Sequence, residues 1–178
     1  MNCIYQLKQN DISWNNVNYI KPSNYLLSGM DIACEHLIKY YRNDHILCIK
    51  YKQGDTQFGL TETSKVWEKN LDDTMIRGIN EELNISIDGI QNKYTFLMKK
   101  NNIKVYCLQI GTDTDVNMID DINCTNEDDG KKKVLVLIHG NKDIMMAKIN
   151  KIKSSEKNII GINLIPVKKI KKIYKFLG

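Results

Sequence analysis

Leu71, Met75, Ile79 and Leu83 recur at every fourth position, with Ile76 beside them. At helical spacing these side chains share one face, and that face is buried. This run constrains the fold more than any other. Its ends are written as well. Asn70 is placed to cap the helix, and Asp72 and Asp73 follow in the first turn, where the helix dipole favours negative charge. Asn84 is suited to end it in a left-handed conformation, as Asn does in place of Gly. The other face is charged. Residues four apart share a face, so Arg77 can pair with Glu81 or Asp73, while Glu82 shares its face with Gly78. A Gly inside a helix costs about 1 kcal/mol relative to Ala. Its presence implies close packing or a relaxed demand for a side chain there.

Around this helix the chain mixes apolar runs with helical patterns. Residues 1–22 place polar and aromatic groups around Trp14 and Tyr19 and read as a short strand and a loop ending at Pro22. "NYLLSGMDIACEHLIKYY" reads as a helix over its second half, where Ile32, Leu37, Ile38 and Tyr41 keep helical spacing. "HILCIKYK" is a strand, "QGDTQFGL" a turn and a further short strand, and a loop from Thr61 to Lys69 leads into the helix. "KYTFLMKK" and "IKVYCLQI" form a hairpin around Asn101-Asn102. Segment 112–133 is acidic and polar and reads as a long surface loop, a type that is more often functional or mobile than incidental. "KVLVLI" is a buried strand, followed by His139-Gly140 and a helix over about Asn141–Lys151. "NIIGINLI" is a strand, and Pro166 opens a last helix with an Ile170, Ile173, Tyr174 and Leu177 stripe. Strands mixed with helices, with hairpins in the middle, predict an α/β fold: a mixed β-sheet between helices.

A chain of 178 residues is long enough for one domain with a real core. The net charge of +5, mostly lysine, is compatible with nucleotide or nucleic-acid ligands. The five cysteines (Cys3, Cys34, Cys48, Cys107, Cys124) are odd in number, widely spaced and without a CxxC pair. That argues against a structural zinc site and for buried free thiols in a reducing, cytoplasmic compartment. There is no apolar leader and no run long enough to span a bilayer, so no membrane partner is expected. In that compartment the sequons at Asn84 and Asn123 go unused. The richness in lysine, asparagine and isoleucine suggests AT-rich coding, as in a large DNA virus or an intracellular parasite.

The helix carries a resemblance. The Nudix superfamily motif runs Gly-x5-Glu-x7-Arg-Glu-U-x-Glu-Glu-x-Gly-U, where U is a large aliphatic. "RGINEELNI" is similar to its second half, with Arg77, Ile79, Glu81, Glu82 and Ile85 in register. The flanking strand and hairpin stand where the family places them, and "INLIPVKKIKKI" resembles its last strand running into an aliphatic-Pro-aliphatic helix start. The resemblance covers roughly residues 44 to 177, and it implies a Nudix-like α/β/α sandwich with a mixed β-sheet. Residues 1–43 would then be an N-terminal extension with a helix, and 44–178 the Nudix-like domain, as one compact unit. Such enzymes cleave diphosphate linkages with magnesium or manganese, which need clustered carboxylate oxygens. Carried over, the catalytic set is Arg77, Glu81 and Glu82, with Glu82 the main metal ligand and Glu81 an assisting one. The departures are specific. Gly78 stands where the family has a Glu, and Asn84 where it has the last Gly. The leading Gly would fall at Thr63, four residues after Gly59, and the x7-spaced Glu at Lys69, next to Glu68. A loop insertion would restore Gly59 and Glu68 to these roles.

The resemblance therefore implies a divergent Nudix-fold protein that recognises a nucleoside-diphosphate-linked ligand or a capped RNA end, with metal-dependent pyrophosphohydrolysis impaired or lost. The alternatives are an active pyrophosphohydrolase of decapping or nucleotide-clearing type, drawing a further acid from the 112–129 loop, and a structural or assembly subunit that kept only the fold. Other polar residues read as ordinary. His139 is expected to stabilise a turn, and His36 and His45 to be structural or exposed. The lysines of the last helix (Lys168, Lys169, Lys171, Lys172, Lys175) are expected to form a solvated face rather than a phosphate contact. Trp14, Trp67, Tyr94 and Phe96 are expected in the core rather than stacked on a base.

Overall fold

The apolar runs pair into a mixed sheet that buries both of its faces. The computed structural model describes residues 5–6, 24–51, 56–83, 85–88, 94–100, 102–112, 115–118, 132–149, 153–154 and 159–174. In chain order the elements are β1 (Tyr5–Gln6), α1 (Asn24–Tyr40), β2 (His45–Tyr51), β3 (Thr56–Gln57), β4 (Gly59–Thr63), α2 (Leu71–Leu83), β5 (Ile85–Asp88), β6 (Tyr94–Lys100), β7 (Ile103–Ile110), β8 (Asp115–Met118) and β9 (Lys133–Gly140). There follow α3 (Lys142–Ile149), β10 (Lys153–Ser154), β11 (Ile159–Pro166), a 3-10 turn (Val167–Lys169) and α4 (Ile170–Ile173). The main sheet has seven strands in the order β11-β2-β9-β7-β6, with β3 added to β2 and β4 to β9. β7 and β9 run parallel, and the other pairings are antiparallel.

β9 is buried from Val134 to Gly140, as expected of a strand with partners on both edges and cover on both faces. Its alternate side chains sort into two cores. Val134, Val136 and Ile138 pack with Leu71, Met75 and Ile79 of α2 and Met145 of α3. Leu135 and Leu137 pack with Met30, Ala33, Cys34 and Leu37 of α1, and with Val167, Ile170 and Tyr174 at the C-terminal end. The expected α2 stripe is thus buried at Leu71, Met75 and Ile79, with Ile76 partly buried beside them; the Leu83 side chain lies outside the described residues.

Several boundaries differ from expectation. α1 takes in the whole run from Asn24, not only its second half. Its buried side is made by Met30, Ala33, Cys34 and Leu37, while Ile32 is exposed. Small residues form the seam because the helix lies close to the sheet. A Cβ on Gly29 would stand 2.8 Å from Val105 Cγ2. β4 runs on to Thr63, through the start of the expected loop, because β9 supplies a partner as far as Lys133. Part of the acidic segment is likewise a strand, β8, paired with β5 from Ile85↔Met118 to Asp88↔Asp115. Residues 113–114 and 119–131, with the remaining acids of that segment, lie outside the described residues. So do Asn84, Trp14, Cys3, Cys124 and Lys175. Pro166 is the last residue of β11, opposite His45, and also the N-cap of the 3-10 turn, so the expected helical start follows it directly. β11 ends the strand order, where the missing N–H of a proline is tolerated.

Cys34, Cys48 and Cys107 are free and buried, as expected. Burial pushes the Cys107 thiol up to about 12 and those of Cys34 and Cys48 upward as well, which favours the thiol over the reactive thiolate. No helix among the described residues is long and apolar enough to cross a membrane.

Candidate functional site

α2 begins where expected. Asn70 Oδ1 accepts the Asp73 N–H at 3.0 Å, a side-chain cap on an otherwise orphaned donor. The connection before it is drawn together by Glu68. Its Oε1 accepts the Lys65 N–H at 2.8 Å, the Thr74 hydroxyl at 3.1 Å and Arg77 Nη2–H at 3.0 Å. Its Oε2 accepts Arg77 Nε–H at 3.0 Å, which completes a two-pronged Arg–carboxylate pair. The Glu68 side chain is only 6% exposed.

Arg77 is the centre of the arrangement. Of the two acids its own helix offered, it takes Glu81, donating from Nη1 to Oε2 at 3.1 Å. Nη1 also lies 3.3 Å from Glu62 Oε1, and Nη2 donates to the Thr63 carbonyl at 2.6 Å. One guanidinium thus binds three carboxylates, from β4, the 64–70 connection and α2. Arg suits this role because its donors form a planar fork and its charge is permanent.

Gly78 is explained by Glu62. A Cβ at position 78 would stand 2.9 Å from Glu62 Cβ and 3.0 Å from its Cγ, with Oε2 at 3.6 Å. The carboxylate expected on the helix at 78 is absent, and a carboxylate from β4 fills the space instead. Thr63 N–H donates to Glu62 Oε1 at 3.1 Å, which holds it there.

The three acids are not electrostatically equal. Burial alone would raise the pKa of Glu68, but the hydrogen bonds from Arg77, the Lys65 N–H and Thr74 outweigh it and hold it below the usual carboxylate range. Burial raises Glu81, and Glu62 adds to this, against the attraction of Arg77. Burial opposes the charge on Arg77 too, but its three carboxylates together drive its pKa upward. The Arg77–Glu81 pair therefore favours the charged form of one member without securing the other. The reason is that Arg77 is shared, its closest hold being on Glu68. Glu81 Oε1 is buried and has no hydrogen-bond partner among the described residues.

The carried-over set is thus placed in part. Arg77 and Glu81 meet directly. Glu82 lies in the last turn of α2, and its side chain is outside the described residues. Glu62 was not anticipated by sequence reasoning, because its tie to Gly78 crosses from a strand to a helix and follows no local periodicity. As arranged, the described carboxylates do not fit a divalent cation. They turn onto Arg77, and among the described residues no three His, Cys, Asp or Glu side chains gather as metal ligands.

On the other flank of α2, Asp72 accepts the hydroxyls of Tyr94, at 3.0 Å, and Tyr106, with Lys104 Nζ 3.8 Å away. Tyr94 and Tyr106 meet edge-on at 5.4 Å. Two aromatics expected in the core are not there: Trp67 is 54% and Phe96 50% exposed. His139 is buried, and its Nδ1 is 2.9 Å from Asp44 Oδ2, with the Tyr41 ring tilted against it at 4.6 Å. It braces the turn between α1 and β2, as a turn-stabilising histidine should.

Compared with protein-family models, with curated proteins and with solved structures, the chain matches none.

Proposed function

We propose that this chain is a divergent protein with a Nudix-like α/β/α sandwich that recognises a nucleoside-diphosphate-linked ligand or a capped RNA end, with metal-dependent hydrolysis impaired or lost. The supporting observation is the binding of Glu62, Glu68 and Glu81 to Arg77. It lies in register with the motif at Arg77, Ile79, Glu81, Glu82 and Ile85, yet an internal cation holds the acids that a magnesium or manganese ion would need. One observation favours the second reading, an active pyrophosphohydrolase of decapping or nucleotide-clearing type. The Glu62 carboxylate occupies the place of the absent side chain at 78.

The test is to incubate the full chain with capped RNA and with nucleoside diphosphate derivatives, in magnesium or manganese, and to measure binding and turnover separately. Saturable binding without turnover is the expected result. Turnover that disappears in Glu82→Gln would overturn the impaired reading in favour of the enzyme. Failure of both binding and turnover would leave a structural or assembly subunit.

A further inference from the structure

Trp67 and its neighbour Val66, in the connection that leads into α2, are large apolar residues left outside the core: Val66 is 78% and Trp67 54% exposed. They are not there for want of order. The Glu68 N–H donates to the Lys65 carbonyl at 3.1 Å, closing the turn, and the Glu68 carboxylate holds the Lys65 N–H from the other side. Lys65 itself is buried, and Ser64 N–H is tied to the Lys132 carbonyl at 2.8 Å. The turn is pinned at both ends, and its two apolar side chains are held outward.

The charges divide in the same way. Glu62, Glu68 and Glu81 point inward onto Arg77; Lys69 is the exposed charge of the turn itself, Lys132 is exposed beside Ser64, and the exposed acid Asp73 lies beyond Asn70 at the start of α2. A half-exposed indole two positions before an exposed lysine complements a ligand that is flat and apolar in one part and anionic in another. We propose that the turn at residues 65–70 is a nucleobase platform, with Trp67 stacking the base and Lys69 and Lys132 meeting its phosphates. This rests on the nucleotide-recognition reading above and names the part of the ligand that the turn takes. Stacking fits because every base offers a π-face to an aromatic ring.

The full chain, labelled with 5-fluorotryptophan, gives two fluorine resonances, one for each tryptophan. The Trp67 signal is the one lost in Trp67→Phe. Titration with GDP, ADP and inorganic pyrophosphate is followed by fluorine NMR and by calorimetry. The nucleotides should shift the Trp67 resonance, and pyrophosphate should leave it in place. Trp67→Ala should weaken nucleotide binding about fivefold or more, and Trp67→Phe should restore most of it. Nucleotide binding with an unmoved Trp67 signal and an unchanged Trp67→Ala affinity would overturn the platform and leave the nucleotide reading standing. Absence of any nucleotide binding by calorimetry would remove both. Loss of self-association in Trp67→Ala, with nucleotide affinity intact, would make this turn a protein contact and overturn the proposal.

Discussion

Gly78 and Glu62 form the most informative pair of residues. On propensity alone, Gly78→Ala should stabilise α2 by about 1 kcal/mol. The added Cβ would instead press on Glu62 Cβ, an atom fixed close to the β4 backbone, at 2.9 Å. Overpacking of this kind commonly costs about 1–3 kcal/mol, so a net loss is expected in urea unfolding. In a Glu62→Gly background, which lacks that Cβ, the same substitution should recover the propensity gain, and a double-mutant cycle would show the coupling. Two independent, additive effects would refute the packing account. At Arg77 the expected cost is larger. Arg77→Met leaves Glu68 buried without its two-pronged partner and should lose about 3 kcal/mol by denaturant unfolding. The sequence made part of this site legible. Asn70 with Asp73 and Arg77 with Glu81 follow from helical spacing alone. Glu62 did not follow, because 16 positions separate it from Gly78 and only the placement of β4 against α2 joins them.

At the scale of elements, the sequence was most legible where one period dominates. The stripe of α2, the buried run of β9 and the β6–β7 hairpin each carry an unambiguous pattern. Lys100↔Ile103 closes that hairpin around the two expected asparagines. Legibility failed where a partner overrides local signals. Pro166 marked the helical start, which follows at Val167, but not the pairing with β2 that keeps the chain extended up to it. The acidic run suggested a loop, but β5 recruits Asp115–Met118. The start of α2, by contrast, is local, and it predicts a local effect. Asn70→Ala removes the acceptor of the Asp73 N–H and should cost about 1 kcal/mol, measured as a lower urea midpoint at unchanged slope. Asn70→Asp keeps the acceptor and should retain most of the stability. A midpoint that does not move in Asn70→Ala would show that the cap adds nothing to the folded state.

Across the whole molecule, partly buried titratable groups give stability a defined pH dependence. Burial, then Lys142 and more weakly Lys168, hold the pKa of His45 below 6.5, against Asp44 and Asp143. Burial, then His139, lower that of His36, whose ring lies 5.0 Å from Tyr40. Nε2 of His36 and Nδ1 of His45 are buried without a partner among the described residues, so a proton on either ring finds no acceptor there. Both histidines therefore favour the neutral form when folded. As pH falls below 6.5 the unfolded chain takes up protons first, and stability declines toward the lower folded values. Glu81 acts in the opposite sense. Its raised pKa means that its ionisation opposes folding as pH rises through 4.5, so acid relieves it. Glu68, with its lowered pKa, loses its contribution only at still lower pH. The thermal midpoint should thus fall between pH 7 and pH 5. His36→Gln and His45→Gln should each flatten that slope, and Glu81→Gln should raise stability at pH 7 relative to pH 4. Differential scanning calorimetry across this range decides the matter. A midpoint that is level from pH 7 to pH 5 in the unaltered chain would mean that the two histidines titrate alike in the folded and unfolded states.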